Sequence, residues 1–175
     1  SLEALRHLVL RHGERFEVII AGHVLEPMNL AEVVAKTPGM SYIGEYRSPD
    51  DLPALYGAVD MVWTVYPGPE VTNPAWRWAL LVSRSNRFYE SCFFGRPIIT
   101  MADSGDGEEV ARLGIGLCLT SQDLDSVAAT LSMISTDRLR SWFDALKGLP
   151  LSVHSATDES ARLANSIRRA VESCR

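Results

Sequence analysis

Segment 83–99 of the sequence reads SRSNRFYESCFFGRPII and contains the residues best suited to bind a charged ligand. Ser85 or Asn86 can cap a helix that begins there, because either side chain can accept a hydrogen bond from a backbone N–H of the first turn. The start of a helix presents N–H groups without helical partners, and these attract anions such as a pyrophosphate. Arg84 and Arg87 lie beside this helix start and can neutralise phosphate charge. The segment therefore predicts an anion site.

Glu90 adds a carboxylate to the same helix. It lies three residues after Arg87, so the two side chains share nearly one helical face. A carboxylate accepts several hydrogen bonds, so Glu90 could hold both hydroxyls of a ribose while Arg87 binds a phosphate of the same nucleotide. Spacing alone leaves a simpler interpretation open, in which Arg87 and Glu90 form an ion pair on a solvated surface and Ser85 is only a cap.

Short apolar runs alternate along the chain with segments of helical periodicity. The strands are predicted over residues 16–22, 40–44, 59–65, 97–101 and 116–119. The helices are predicted over residues 2–11, 29–36, 50–56 (with Ser48 as its cap), 86–94, 106–113, 122–134, 137–146 and 157–173. Runs that are apolar throughout are typical of a parallel sheet covered on both faces. Their alternation with helices predicts a doubly wound, Rossmann-like α/β domain.

The first element of such a domain is normally a strand that lies at the centre of the sheet. This chain begins instead with the predicted helix over 2–11, and its first residue is Ser1 rather than Met. We therefore expect a single domain over residues 1–175 that lacks its first strand, and a chain that was processed or excised from a longer one.

The central segment resembles a signature of the GT-B glycosyltransferases, specifically the large retaining family often called family 4. That signature reads N-K-x-x-E-x-x-x-x-G-x-P-V-I. Asn86, Arg87, Glu90, Gly95 and Pro97 fall on its positions, with arginine where lysine is commoner.

The flanking segments resemble further motifs of the same family. Residues 18–22, 42–46, 51–60, 107–110 and 114–117 match them in consistent order. The resemblance runs from about residue 2 to residue 134. It implies the C-terminal, nucleotide-sugar-binding lobe of a two-lobe enzyme that transfers a sugar from a nucleotide-diphosphate donor to an acceptor, which would be a glycan, a lipid or a small molecule.

The resemblance also implies roles for individual residues. Glu90 would hold the ribose, and Asn86 and Arg87 would lie near the phosphates or the donor sugar. The base pocket would be lined by Gly22, His23 and the turn over 44–47, which contains Tyr46 and Arg47. The helix at residues 155–175 would pack back toward the N-terminal lobe, which is the expected partner. No metal or other cofactor is expected, because the helix dipole and arginines can stabilise the leaving diphosphate.

The sequence departs from the family pattern in ways that bear on catalysis. Val82 occupies the position at which the family often carries a second glutamate, eight residues before Glu90. The phosphate-contacting basic residues that usually follow the first strand, and the groups that the N-terminal lobe supplies, are not in this chain. We therefore assign no catalytic residue, and we expect donor binding at most, with little or no transfer by this chain alone.

Composition and charge exclude several other functions. The chain has 175 residues, a net charge of -5 and a pI of about 5.4, which argues against a nucleic acid as partner. Cys92, Cys118 and Cys174 are widely spaced and odd in number, so the sequence predicts a reducing compartment and no zinc or dithiol site. No apolar run is long enough to span a membrane. We expect a cytoplasmic location, with peripheral association at the inner face of the membrane only through the missing lobe.

Other features of the sequence have simpler interpretations. The four histidines, which are His7, His12, His23 and His154, do not follow a metal-binding spacing. The acidic stretch over 103–109 lacks the spacing of a calcium loop and fits a helix start, where carboxylates are favoured by the dipole. The irregular stretch over 66–79 predicts a lid or a face toward another lobe. Two alternative functions remain open, a sugar-nucleotide epimerase and a non-catalytic α/β interaction module.

Overall fold

The computed structural model describes residues 2–23, 29–66 and 83–154 of the chain. The helices are α1 (Leu2–His12), α2 (Leu30–Ala35), α3 (Leu52–Gly57), α4 (Asn86–Phe94), α5 (Gly105–Leu113), α6 (Leu124–Ser132) and α7 (Thr136–Lys147). The strands are β1 (Val18–Ile20), β2 (Met40–Tyr42), β3 (Val62–Trp63), β4 (Ile98–Met101) and β5 (Gly116–Leu119). The predicted helix over 157–173 and all but the first residue of the loop over 66–79 lie outside the described residues.

The strands form two parallel sheets. β1 pairs with β2, with Val18 opposite Met40. β3, β4 and β5 form the second sheet in that order, and Ile98 of the central strand lies opposite Val62 on one side and Gly116 on the other. All pairs are parallel and the connections described between them contain helices, so the predicted α/β fold with parallel strands is confirmed.

Helices cover both faces of the three-stranded sheet. α1 and α6 pack on one face, and α4 and α5 pack on the other. Adjacent residues of β4 point to opposite faces, so each contributes to a different core. The residues at the two centres are Leu8, Ile99 and Leu131 on the first face, and Phe88, Ile98 and Val110 on the second. This three-layer arrangement is that of a doubly wound domain.

Gly116 is required where β5 approaches β4. A Cβ atom at this position would lie 2.0 Å from the carbonyl oxygen of Ile98. Because that neighbour is backbone rather than a movable side chain, any larger residue would separate the two strands. The close approach keeps β4 and β5 in register beneath α5.

An open cleft separates β1 from β3. It consists of two adjoining cavities, of about 360 and 550 Å³, which share Leu5, Ile19, Met61 and Trp63 in their linings. β1 pairs with β2 and β3 pairs with β4, so the opposite edges of β1 and β3 face the cleft. In the usual strand order 3-2-1-4-5-6, this is the position of the first strand, the strand that the chain is predicted to lack.

The cleft explains two differences from the predicted elements. A strand was predicted over 59–65, but β3 contains only Val62 and Trp63. The edge of β3 that does not pair with β4 faces the cleft. Ile19, in the middle of β1, is 38% exposed, although the apolar run predicted a buried strand. Both strands thus have apolar residues suited to a covered position.

The cap of α3 is also different from the prediction. Asp51 rather than Ser48 precedes the helix as its N-cap, without a side-chain cap hydrogen bond. Its carboxylate instead accepts a hydrogen bond from the backbone N–H of Arg47, at 2.8 Å. Ser48 is separated from the helix by Pro49, Asp50 and Asp51, so it is too far from the first turn to cap it. None of the helices within the described ranges is long and apolar enough to cross a membrane.

Candidate functional site

Helix α4 forms as the sequence predicts. The Ser85 hydroxyl accepts a hydrogen bond from the backbone N–H of Phe88 at 3.2 Å and caps the N-terminus. The helix ends at Gly95, which adopts the left-handed conformation with φ of 65°, a position that favours glycine. The caps fix where α4 begins and ends, and they set the direction in which Arg87 and Glu90 point.

A buried carboxylate anchors the start of α4 to the start of α5. Asp106 is only 4% exposed. One of its oxygens accepts the backbone N–H of Ser85 at 2.9 Å, and the other accepts the Ser85 hydroxyl at 2.6 Å. Asp106 lies in the first turn of α5, where the helix dipole favours negative charge. The N-termini of two helices are therefore held side by side.

The smaller cavity of the cleft brings several predicted site residues together. Its lining includes Tyr46, Arg87 and Glu90, together with Tyr56 and Tyr66. Tyr46 follows β2, whereas Tyr66 follows β3. The cavity therefore lies between the carboxyl ends of the two sheets, at the point where the strand order reverses. Ligands of open α/β sheets bind in this position.

Glu90 is oriented by a tyrosine from another helix. The Tyr56 hydroxyl in α3 donates a hydrogen bond to Oε2 of Glu90 at 2.7 Å. Burial of Tyr56, and next the hydrogen bond to the Glu90 carboxylate, raise the pKa of the phenol well above its usual value. Tyr56 therefore remains a hydrogen-bond donor at every working pH.

Arg87 is held by Tyr66 rather than by Glu90. Its Nη1 donates to the Tyr66 hydroxyl at 3.1 Å. The backbone carbonyl of Tyr66 in turn accepts a hydrogen bond from Gln122 Nε2 at 3.0 Å. Arg87 and Glu90 form no ion pair with each other; Arg87 donates to Tyr66, and Glu90 accepts from Tyr56. Both thus keep hydrogen-bonding capacity directed toward the same cavity.

The other residues predicted for phosphate binding lie near the start of α4. Asn86 is exposed at the first position of the helix. Arg84 lies outside the lining of the smaller cavity, with its guanidinium 5.7 Å from the centre of the Phe88 ring and 3.9 Å from a carboxylate oxygen of Glu109. Arg84 therefore faces α5, and Arg87 is the arginine at the cavity.

The residues predicted for the base pocket are at the ends of β1 and β2. The backbone N–H of Gly22 donates to the carbonyl of Gly44 at 2.8 Å. His23 is largely exposed, and its Nδ1 lies 2.6 Å from Oε1 of Glu45. Tyr46 is the member of this group that reaches the cavity.

Arg47 pairs with a carboxylate of the following helix. Its side chain is exposed and lies 3.4 Å from Oδ1 of Asp51. Backbone and side-chain hydrogen bonds from Arg47 lower the pKa of Asp51. The guanidinium is therefore engaged at the outer surface of α3, and it lies outside the lining of the cavity.

The cysteines and metal-ligand types give no further site among the described residues. Burial raises the pKa of Cys92 to about 12, so its thiol is not reactive at neutral pH. Burial likewise raises the pKa of Cys118. Within residues 2–23, 29–66 and 83–154, no group of three or more His, Cys, Asp or Glu side chains is placed to hold a metal ion. Cys174 and Val82 lie outside the described residues.

The fold is shared with a glycosyltransferase of known crystal structure. AviGT4, a glycosyltransferase involved in avilamycin A biosynthesis, matches 97% of this chain with a TM-score of 0.62 and 17% sequence identity. The chain has the fold of one lobe of a GT-B glycosyltransferase. It covers 47% of the AviGT4 chain.

The sequence of this GT-B lobe is also similar to that of a curated bacterial protein. It is 32% identical over 137 residues to the succinoglycan biosynthesis protein ExoL of Rhizobium meliloti (strain 1021). The match includes 77% of this chain but only 32% of that protein, so the chain spans about a third of the length of the relative. No family model matches the sequence.

Two residues that support helix α4 are not among the predicted site residues. Tyr56, which lines the cavity, lies within the motif over 51–60, and Asp106, which holds Ser85, lies within the acidic stretch over 103–109. Their partners, Glu90 and Ser85, are 34 and 21 residues away in sequence. The sequence feature that could have identified Tyr56 is its hydroxyl, a polar group on an otherwise apolar helix.

Replacing Asp106 with alanine is expected to destabilise the GT-B lobe. The change would leave the N–H and hydroxyl of Ser85 without their acceptor, which costs about 1–3 kcal/mol for buried groups. Urea unfolding monitored by circular dichroism measures the difference. Asp103→Ala serves as the matched control, because Asp103 is an exposed acidic residue of the same turn and its loss should change stability by less than about 0.5 kcal/mol. Equal effects of the two changes would contradict the assigned anchoring by Asp106.

Proposed function

We propose that this domain binds the nucleotide-diphosphate sugar donor of a glycosyltransferase. The observation that carries the proposal is the convergence of Arg87, Glu90 and Tyr46 on one cavity between the carboxyl ends of two parallel sheets. A cation, a carboxylate and an aromatic ring are the groups needed for a phosphate, a ribose and a base, respectively.

The orientation of α4 supports the assignment of the donor groups. The helix begins at Asn86, and Arg87 lies in its first turn. A diphosphate near this end would meet the positive end of the helix dipole and the guanidinium together. Glu90 lies about one turn further along and accepts the ribose hydroxyls. These groups can stabilise a leaving diphosphate without a metal.

The second cavity is assigned to polypeptide rather than to the donor. It extends along β1 and β3 and is bordered by Val18, Ile19 and Met61. Strand edges offer N–H and C=O groups for pairing, so an apolar parallel strand from the rest of the protein fits between them. The N-terminal lobe of the same enzyme would supply the acceptor site.

The acceptor is assigned to the glycan class. The similarity to a protein of succinoglycan biosynthesis, at 32% identity, supports a growing polysaccharide as the acceptor. AviGT4, which is involved in the biosynthesis of avilamycin A, is less similar in sequence, at 17% identity. The donor lobe can be shared among acceptors because acceptor contacts come from the other lobe.

Titration calorimetry of the complete protein with UDP and with GDP tests the proposal. We expect one of the two to bind, in competition with its nucleotide sugar. If neither nucleotide binds at millimolar concentration, the donor site is refuted and the non-catalytic interaction module becomes the better interpretation. Incubation with the matching nucleotide sugar and no acceptor provides the second measurement. Conversion of the sugar to an epimer would instead identify a sugar-nucleotide epimerase.

A further inference from the structure

We propose that Tyr56 is a positioning residue that gives the site its selectivity for ribonucleotides. It would do so by holding the Glu90 carboxylate in the one orientation that accepts both ribose hydroxyls. The inference rests on the proposed donor function and extends it to a residue of a different helix.

The contact between Tyr56 and Glu90 is direct and sheltered. The phenol oxygen lies 2.7 Å from Oε2 of Glu90, and Tyr56 is only 7% exposed. A carboxylate has about four acceptor positions on its two oxygens. One bond from Tyr56 holds Oε2 and restricts the rotation of the carboxylate, and it leaves acceptor positions on both oxygens for a ligand.

Tyr56 is itself fixed by the far end of α4. Its ring stacks on Phe94, with centroids 4.8 Å apart and an angle of 21° between the planes. Its backbone carbonyl accepts a hydrogen bond from Arg96 Nε at 2.6 Å. The phenol therefore points at Glu90 from a position that is held at both the ring and the backbone.

A fixed carboxylate matters because the free side chain is flexible. Glu90 is only partly buried and lies at the cavity wall. Without the phenol, its carboxylate would rotate among several rotamers, and binding both hydroxyls would require that freedom to be lost. A ligand that lacks one hydroxyl gains less from the fixed orientation, so the contribution of Tyr56 depends on the ribose.

Tyr56→Phe in the complete protein tests the inference, because phenylalanine keeps the ring stacked on Phe94. Affinities are measured by calorimetry for UDP or GDP, whichever binds, and for its 2′-deoxy form. Because the freed Glu90 side chain must be ordered again when the ribose binds, the change is expected to weaken ribonucleotide binding by about 3- to 10-fold. Binding of the deoxy form should change by less than about twofold, so the preference for ribose falls.

Tyr89→Phe is the matched control. Tyr89 is 38% exposed on α4, the helix that contains Glu90, and it lies outside the lining of the cavity, so this change should leave both affinities unaltered. In a Glu90→Gln background, Tyr56→Phe should have no further effect on ribose preference, because the carboxylate through which Tyr56 acts is already absent.

Two results would overturn the inference while leaving the donor site intact. One is an equal loss of affinity for the ribonucleotide and its deoxy form, which would assign Tyr56 to general packing. The other is an unchanged ribose preference in Tyr56→Phe when Glu90→Gln abolishes that preference. Failure of the unaltered protein to bind either nucleotide would instead reject the proposed function, and this inference with it.

Discussion

Replacing Glu90 with alanine is expected to weaken nucleoside diphosphate binding by about 10- to 100-fold. This corresponds to roughly 1–3 kcal/mol, the usual contribution of hydrogen bonds to a charged group. The expected loss arises from the ribose hydroxyls, which would lose their acceptor at the wall of the smaller cavity. Titration calorimetry on the complete protein measures it, with Glu90→Gln as a variant that preserves shape.

Glu108→Gln is the control for the removal of negative charge. Glu108 is exposed in the first turn of α5 and lies outside the lining of the cavity. Its loss should leave affinity nearly unchanged. An unaltered affinity in folded Glu90→Ala would remove Glu90 from the ribose-binding role, even if the protein still binds nucleotide through Arg87.

Replacing Phe88 with alanine is expected to have the largest effect on stability. Phe88 is fully buried in the core beneath α4, where it packs with Ile98 and Val110. Truncation of a buried phenylalanine costs about 3–5 kcal/mol, because the lost contacts leave a cavity. This is a large part of the stability of a typical domain. Urea unfolding of the purified protein, followed by circular dichroism, provides the free energy difference.

Phe93→Ala makes the same chemical change at an exposed position of the same helix. Phe93 is 65% exposed, so its truncation should cost less than about 1 kcal/mol. Because both positions lie within α4, the change in helix propensity from phenylalanine to alanine is common to the two variants and cancels in the comparison. If the two variants unfolded at the same urea concentration, the placement of Phe88 in the core would be wrong.

Local sequence features predicted the elements that present the site. Ser85 and Gly95 are residue types that begin and end helices, and the structure places α4 between them. The apolar runs predicted all five strands and their parallel arrangement. The motif around Glu90 predicted the fold of a GT-B lobe, and the shared fold confirms that architecture.

Interactions between distant residues could not be predicted in the same way. The contact of Tyr56 with Glu90 depends on how α3 packs beside α4, and the contact of Asp106 with Ser85 depends on how two helix starts meet. No local periodicity encodes such distances. Ser48 shows the opposite error, in which a local feature predicts a contact that does not form. It has the chemistry of a cap but lies too far from the helix that Asp51 precedes.

The two walls of the smaller cavity belong to different sheets. Tyr46 follows β2 of the two-stranded sheet, whereas Arg87 and Glu90 lie on a helix packed against the three-stranded sheet. A ligand that contacts both walls acts as a cross-link between the two halves of the domain. Its binding free energy then opposes their separation and adds to the resistance of the lobe to unfolding. Occupancy of this cavity by such a ligand and the stability of the domain are thus linked quantities.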